Sequence, residues 1–289
     1  MKNPEKSKNK NKRDTIVELK NLTWKELEQL PKEKTIFFLP ISPMEEHGPH
    51  LPVGTDFLTA EDTSKAAIQK IQQKDDTVHC ILLPSVPLGY CEFSTDFPGS
   101  FSVSSHTVKD IVYSFGSSLA THGFKYLVVC TYHMALGHLK GIYAAMQKLR
   151  KKYHMQVCEP WAPVFYSQDI SKAEPKLGFE TDKELHAGFR ETSLMKYQYP
   201  YLVSPLYQTL PHFYKDLDSP RIVFQKLKDL GVTQGYIGNP SKADATYGRW
   251  FFNFTVDTYV LATFSLLNNE KPRPLPKDMK NKMRLLFWQ

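Results

Sequence analysis

Apolar residues gather in four short runs along the chain, at 35–41 (TIFFLPI), 78–86 (VHCILLPSV), 125–132 (KYLVVCTY) and 155–161 (MQVCEPW). Each is too short for a globular helix and reads as a buried strand. Between them the apolar positions recur at helical spacing. In 56–73, Leu58, Ala66, Ala67, Ile68 and Ile71 form a helical set. The pattern predicts further helices at 104–124 and 136–153. A short one holds Trp24, Leu27 and Leu30 behind Asn21 or Thr23 as cap, and another begins at Leu185. A long, very apolar helix is predicted over 246–268. Strands that alternate with helices and are apolar throughout imply a mainly parallel sheet covered by helices on both faces. The expected fold class is therefore α/β, in a single domain.

Composition changes this picture mostly at the ends. The net charge is +7, but residues 1–13 carry six Lys/Arg against one Glu, and 271–289 carry six against one Asp. That leaves 25 basic and 28 acidic residues in 14–270, a balance of −3. The expectation is a basic tail (1–13), a slightly acidic folded body (14–270) and a basic C-terminal extension (271–289). A core that binds nucleic acid specifically is disfavoured. The N-terminal stretch lacks the apolar segment of a secretory signal, and no run is long enough to span a membrane. Cys80, Cys91, Cys130 and Cys158 form no C-x-x-C pair, which suits reduced thiols in a cytoplasmic protein.

The candidate chemistry follows the first and third runs. Directly after 35–41 comes PMEEHGPHLPVGTDF (43–57), with Glu45, Glu46, His47, His50 and Asp56 among glycines and prolines. His133 directly follows the third run. In parallel α/β sheets, loops at the carboxyl ends of strands build sites. Glu45, His47, Asp56 and His133 are an ordinary oxygen and nitrogen ligand set for a metal, and converge on one coordination sphere in this reading. The same spacing also fits a helix cap at Asp56 and two loop histidines satisfied by hydrogen bonds. Glu46 reads as solvated or supporting, His50 as a loop hydrogen-bonder and His138 as core or surface. Trp161 fits either core or a pocket wall, and MRLLFWQ (283–289) fits a tail that docks on a neighbouring subunit.

EEHGPHLPVGTD resembles the E-x-H-G-x-H-L-P-x-x-T-D signature of the creatininase family of metal-dependent hydrolases. DFPGSFSVS (96–104), HAGFRETSLM (186–195) and GYIGNPSKADATYG (235–248) resemble further family segments, in family order. The resemblance spans about 20–268. It implies a three-layer α/β/α sandwich and a homo-oligomer, a hexamer by analogy. It implies Glu45, His47, Asp56 and His133 as metal ligands, with Asp56 bridging two ions. It also implies His186 as the catalytic histidine, with Glu191 beside it. One or two divalent ions per subunit are expected, zinc first, with manganese or iron as alternatives. Ala135 stands where creatininase carries a ligand for the second metal, and Leu185 replaces a Glu. These departures leave the second ion dependent on Glu191, Glu46 or His138, and argue against creatinine as substrate. The implied activity is metal-assisted hydrolysis of a carbon–nitrogen bond in a small cyclic amide, formamide or related amide. The rival reading is a degenerate, non-catalytic binding or assembly protein.

Overall fold

The computed structural model describes residues 16–179, 181–215 and 225–286; the basic stretch 1–13 lies outside them. The chain enters through β1 (Val17–Glu18) and α1 (Trp24–Gln29). Thr23 and Glu26 cap α1 reciprocally, each side chain accepting from the other's backbone N–H. There follow β2 (Thr35–Pro40), α2 (Thr55–Lys74), β3 (His79–Leu82), α3 (Ser105–Thr121), β4 (Tyr126–Cys130), α4 (Leu136–Tyr153) and β5 (Gln156–Cys158). All strand pairs are parallel, in the order β1-β3-β2-β4-β5. Four strands coincide with the apolar runs. The fifth, β1, is two residues long, too short for any periodicity to reveal.

Every residue of β2 is buried. The pleat sends Ile36 and Phe38 to one face, where they join Ala67, Ile68 and Ile71 of α2. Phe37 and Leu39 go to the other, with Val108 and Val112 of α3 and Ile142 and Leu149 of α4. Two buried faces explain why no polar residue alternates along this strand. The chain passes from β2 to β3 through α2, then reverses across β2 to β4 through α3 on the opposite face. Right-handed crossovers demand that change of face when direction reverses. The reversal opens a crevice between the carboxyl ends of β2 and β4, the ordinary place for a site in such sheets.

Beyond β5 lie α5 (Trp161–Phe165), α6 (Asp169–Ala173), α7 (Phe189–Gln198), α8 (Ala245–Leu267) and α9 (Lys277–Leu285). α8 packs on α2 and α7. Gly248 permits the close approach to α7, since a β-carbon there would lie 1.9 Å from the Ser193 carbonyl oxygen. Trp161 is fully buried between Tyr132 and Phe251 and belongs to the core, not to a pocket wall. The four cysteines are free and buried.

The C-terminal segment is placed differently from the expectation. It docks on its own chain: Leu275 and Met283 are buried against Leu139 of α4 and Ala162 of α5. The Lys140 ammonium donates to the Leu286 carbonyl, and Arg273 pairs with Asp169. Residues 287–289 of MRLLFWQ lie outside the described residues. Among the described residues, no helix is long and apolar enough to cross a membrane.

Candidate metal centre

The loop between β2 and α2 carries two of the expected ligands, Glu45 and His47, and the first turn of α2 carries a third, Asp56. Gly48 (φ 68°) turns the chain between His47 and His50, in a conformation that costs a side-chain-bearing residue more. The loop is fixed from outside by the 96–104 segment: Ser100 Oγ accepts from the Glu46 N–H at 3.0 Å, and the Phe101 N–H donates to the Met44 carbonyl at 3.0 Å. Asp56 sits in the first turn of α2, but Gly54 is the N-cap residue and no side chain caps the helix. The Asp56 carboxylate is thus free to face the crevice, where it meets two histidines. Its Oδ2 lies 2.9 Å from His133 Nδ1, and its Oδ1 lies 3.3 Å from His47 Nε2.

The donors form two trios that share Asp56. Glu45, Asp56 and His133 make one; His47, Asp56 and Glu191 make the other, the ligand atoms of each lying within 4.8 Å of one another. His47 and His133 fall in different trios, with Asp56 common to both. Glu191 comes from α7, with Oε2 3.8 Å from His47 Nε2 and also accepting from the Ala187 N–H at 2.5 Å. Glu45, His47 and His186 make a third such group.

Carbonyl acceptors orient both histidines. His47 Nδ1 lies 3.0 Å from the Glu45 carbonyl, which can only accept, so Nδ1 carries the proton and Nε2 is bare. His133 Nε2 donates in the same way to the Tyr90 carbonyl at 2.9 Å and leaves Nδ1 toward the carboxylates. Both Glu45 carboxylate oxygens and His47 Nε2 are buried with no hydrogen-bond partner. Glu45 Oε2 approaches His133 Nδ1 at 2.9 Å, but that nitrogen is also directed to Asp56. Bare, buried and mutually facing donors of this kind are costly unless a cation satisfies them. The residues present therefore fit a metal.

The electrostatics state the same demand. Burial lowers the His133 pKa, yet Glu45 and Asp56 outweigh it and raise the imidazole to about 10. Burial opposes ionisation of Asp56 as well, but His47 and His133 hold its carboxyl well below the usual range. Glu191 goes the other way: burial raises it, and His47 offsets only part of the rise. The cluster calls for positive charge, and a divalent ion would supply it while displacing protons from the ligands.

His186 is not at a helix start, as the sequence implied. It precedes α7 and pairs with Ile237 in an isolated antiparallel bridge. Ala187 takes a positive φ of 48°, which delays the helix to Phe189. His186 Nε2 lies 2.9 Å from the Glu46 carbonyl and 3.2 Å from Glu46 Oε1. Glu46 is therefore a buried partner of His186, not a solvated residue. His50 is the structural hydrogen-bonder expected, with Nε2 2.8 Å from Thr192 Oγ1. His138 is fully buried on Thr131, at 3.2 Å, and burial pushes its pKa down to about 3.

Two contributors escaped the sequence reading. Glu184 accepts from the Phe189 N–H at 2.6 Å and the Asn239 N–H at 2.9 Å, clamping the 186–189 turn to the 235–248 segment. Phe93 lies parallel to the His133 ring at 6.1 Å and edge-on to His186 at 5.8 Å. The only signal for Glu184 was its position two residues before His186, and Phe93 gave none. Above the donors opens a cavity of about 210 Å³ whose floor includes Asp56, His133, His186 and Glu191.

Known proteins can now be set beside this geometry. A family model, Creatininase (creatinine amidohydrolase), matches residues 20–262. The chain belongs to the creatininase family. It is a metal-dependent hydrolase of carbon–nitrogen bonds with that family. A creatinine amidohydrolase from Pseudomonas putida is 28% identical over 196 residues, 63% of this chain and 72% of the relative. A mycofactocin precursor peptide peptidase from Mycobacterium ulcerans (strain Agy99) is 24% identical over 250 residues, 80% of this chain and 86% of the relative. A solved structure named "Creatininase Mn" shares the fold at a TM-score of 0.66, with 24% identity, covering 86% of this chain and 97% of its own. In this creatininase-family chain Ala135 supplies no carboxylate; it lines the cavity, and the Glu191 carboxylate stands at the donor cluster.

Proposed function

We propose that the chain hydrolyses a small-molecule amide, such as a cyclic amide or a formamide, using two divalent cations that share Asp56. Glu45, Asp56 and His133 would hold one ion, and His47, Asp56 and Glu191 the other. The reading rests above all on the shared Asp56 carboxylate, flanked by bare, buried ligand atoms of Glu45 and His47. Zinc suits such nitrogen and oxygen donors. Manganese, named in the related structure, is the runner-up, and iron comes third. When bound, such ions lower the pKa of water and polarise the amide carbonyl.

The chain's own residues supply the rest. Glu46 engages His186 Nε2 through its carbonyl and its carboxylate, which leaves the second ring nitrogen to exchange a proton. In this reading His186 carries that proton to the departing nitrogen, general acid work worth roughly 10²–10⁴-fold. Phe93 shields one side of both His133 and His186 and lowers the local polarity. Glu184 holds the turn that presents His186.

The non-catalytic rival has little support. A protein relieved of chemistry has no need to keep bare ligands in a buried site at a cost in stability. The test joins metal analysis with turnover. The purified full-length chain should hold close to two divalent ions and release product from at least one member of a panel of cyclic amides, formamides and short peptides. Full metal content with no turnover across the panel would count against the activity, and metal-free protein in zinc-supplemented medium against the centre itself.

The same proposal includes a cytoplasmic homo-oligomer, a hexamer by family analogy. Trp250, Phe254 and Leu261 recur at helical spacing along α8 and none is fully buried. Such a stripe suits apposition to a second copy.

A further inference from the structure

The cavity above the donors is charged at its floor and apolar around its walls. Phe93, Phe165, Leu185, Leu227, Leu230 and Leu286 line it, and among the described residues that line it there is no Lys or Arg. A charged substituent placed against these apolar walls, away from the floor, would lose water without gaining an ionic partner there, whereas an apolar one would be stabilised by leaving water. At about 210 Å³ the space exceeds the roughly 150 Å³ that accommodates benzene. One lining residue, Leu286, lies beyond the segment that the family model matches, which ends at residue 262. α9 is anchored by Leu275 and Met283, and the Lys140 ammonium holds the carbonyl of Leu286. That anchoring leaves Leu285 63% exposed and turns Leu286 inward, where it is 6% exposed.

We infer that the substrate is a neutral amide bearing an apolar, ring-sized substituent, and that Leu286 is a specificity-determining residue contributed by the C-terminal extension. The inference rests on the amidohydrolase reading of the floor. It assigns the polar end of the ligand to the Asp56, His133 and His186 side of the cavity, and the apolar end to the Leu230 and Leu286 side. Selectivity for the apolar group then arises from burial.

Two matched ligand pairs test the inference on the full-length, zinc-loaded protein. Acetohydroxamic acid and 3-phenylpropanohydroxamic acid, titrated calorimetrically, report the metal and the wall together. Acetamide and 3-phenylpropanamide, followed by saturation-transfer NMR, report the wall without needing a metal. The phenyl member of each pair should bind at least about tenfold more tightly than its methyl partner. Leu286→Ala should reduce that preference about three- to tenfold, as should Leu230→Ala. Leu285→Ala should leave it unchanged, and zinc content should be equal in all three variants. Equal affinities within both pairs, or a preference untouched by Leu286→Ala and Leu230→Ala, would overturn the inference. Hydroxamates that bind no better than the matching amides would count against the metal centre alone, because the amide pair decides the apolar wall by itself.

Discussion

Glu191 Oε2 lies 3.8 Å from His47 Nε2, joining α7 to the loop that follows β2. That contact completes the second trio around Asp56, from a different element than the one carrying Ala135.

The first prediction follows directly. Glu191→Gln keeps the shape of the side chain but removes its charge from the second trio alone. Bound zinc, measured by plasma emission, should fall from two ions per chain toward one, and turnover should drop by roughly 10²-fold or more. Asp56→Asn touches both trios and should lower both occupancies together. A Glu191→Gln protein that keeps two ions would remove Glu191 from the ligand set.

His186 and its partner Glu46 give the second. His186→Ala should retain metal and fold while turnover per bound metal falls about 10²–10⁴-fold. Glu46→Gln should keep metal too, yet weaken the hold on His186 Nε2 and displace the pH profile of kcat. Loss of metal in His186→Ala would instead make this histidine a ligand, consistent with its grouping with Glu45 and His47.

A third prediction concerns pH and a carboxyl away from the donors. Glu159 is buried beneath α5, where it accepts from the Trp161 and Ala162 N–H groups and from the Tyr143 hydroxyl. Burial raises its pKa from 4.5 to about 7, the hydrogen bonds offsetting only part. A raised carboxyl pKa means the folded chain binds the extra proton between those values. Stability from this group is therefore full below the unfolded value and declines as pH rises toward 7. The loss is on the order of 3 kcal/mol. Glu159→Gln should flatten that part of the stability curve in urea unfolding at pH 4.5 to 8. A slope identical to wild type would reject the assignment.

The fourth concerns assembly. Leu261 on α8 is 69% exposed, and Leu261→Asp places a charge at the C-terminal end of the stripe formed with Trp250 and Phe254. Light scattering should find an assembly in the wild type and a shift toward the 33.3 kDa chain in the variant. A wild-type monomer at micromolar concentration would dispose of the proposal.

The sheet and three of the five donors could be read from the chain because their determinants are local. TIFFLPI is apolar throughout because β2 is buried on both faces. Glu45, His47 and Asp56 lie in one loop and the turn that follows it, so their spacing alone brings them together. Glu191 was legible as a site residue but not as the partner of His47, since that depends on how α7 packs on α8 and α8 on α2. His186 was misplaced because Ala187 adopts a left-handed conformation that no helical pattern announces. Leu286 was hidden for another reason. Its inward turn comes from the seating of Met283 against Leu139, a contact between segments remote in sequence.

Asp56 belongs to the first turn of a twenty-residue helix whose buried face is seated on β2. β2 is also the strand from which Glu45 and His47 emerge. The loop between them is thus a short span with both abutments set in the same packed layer. An ion of larger radius held between them would strain that span, because neither abutment moves without disturbing the close packing around it. Choice among cations becomes a matter of mechanical stiffness, tuned by methyl groups such as those of Ala67 and Ile68 that never approach the ion.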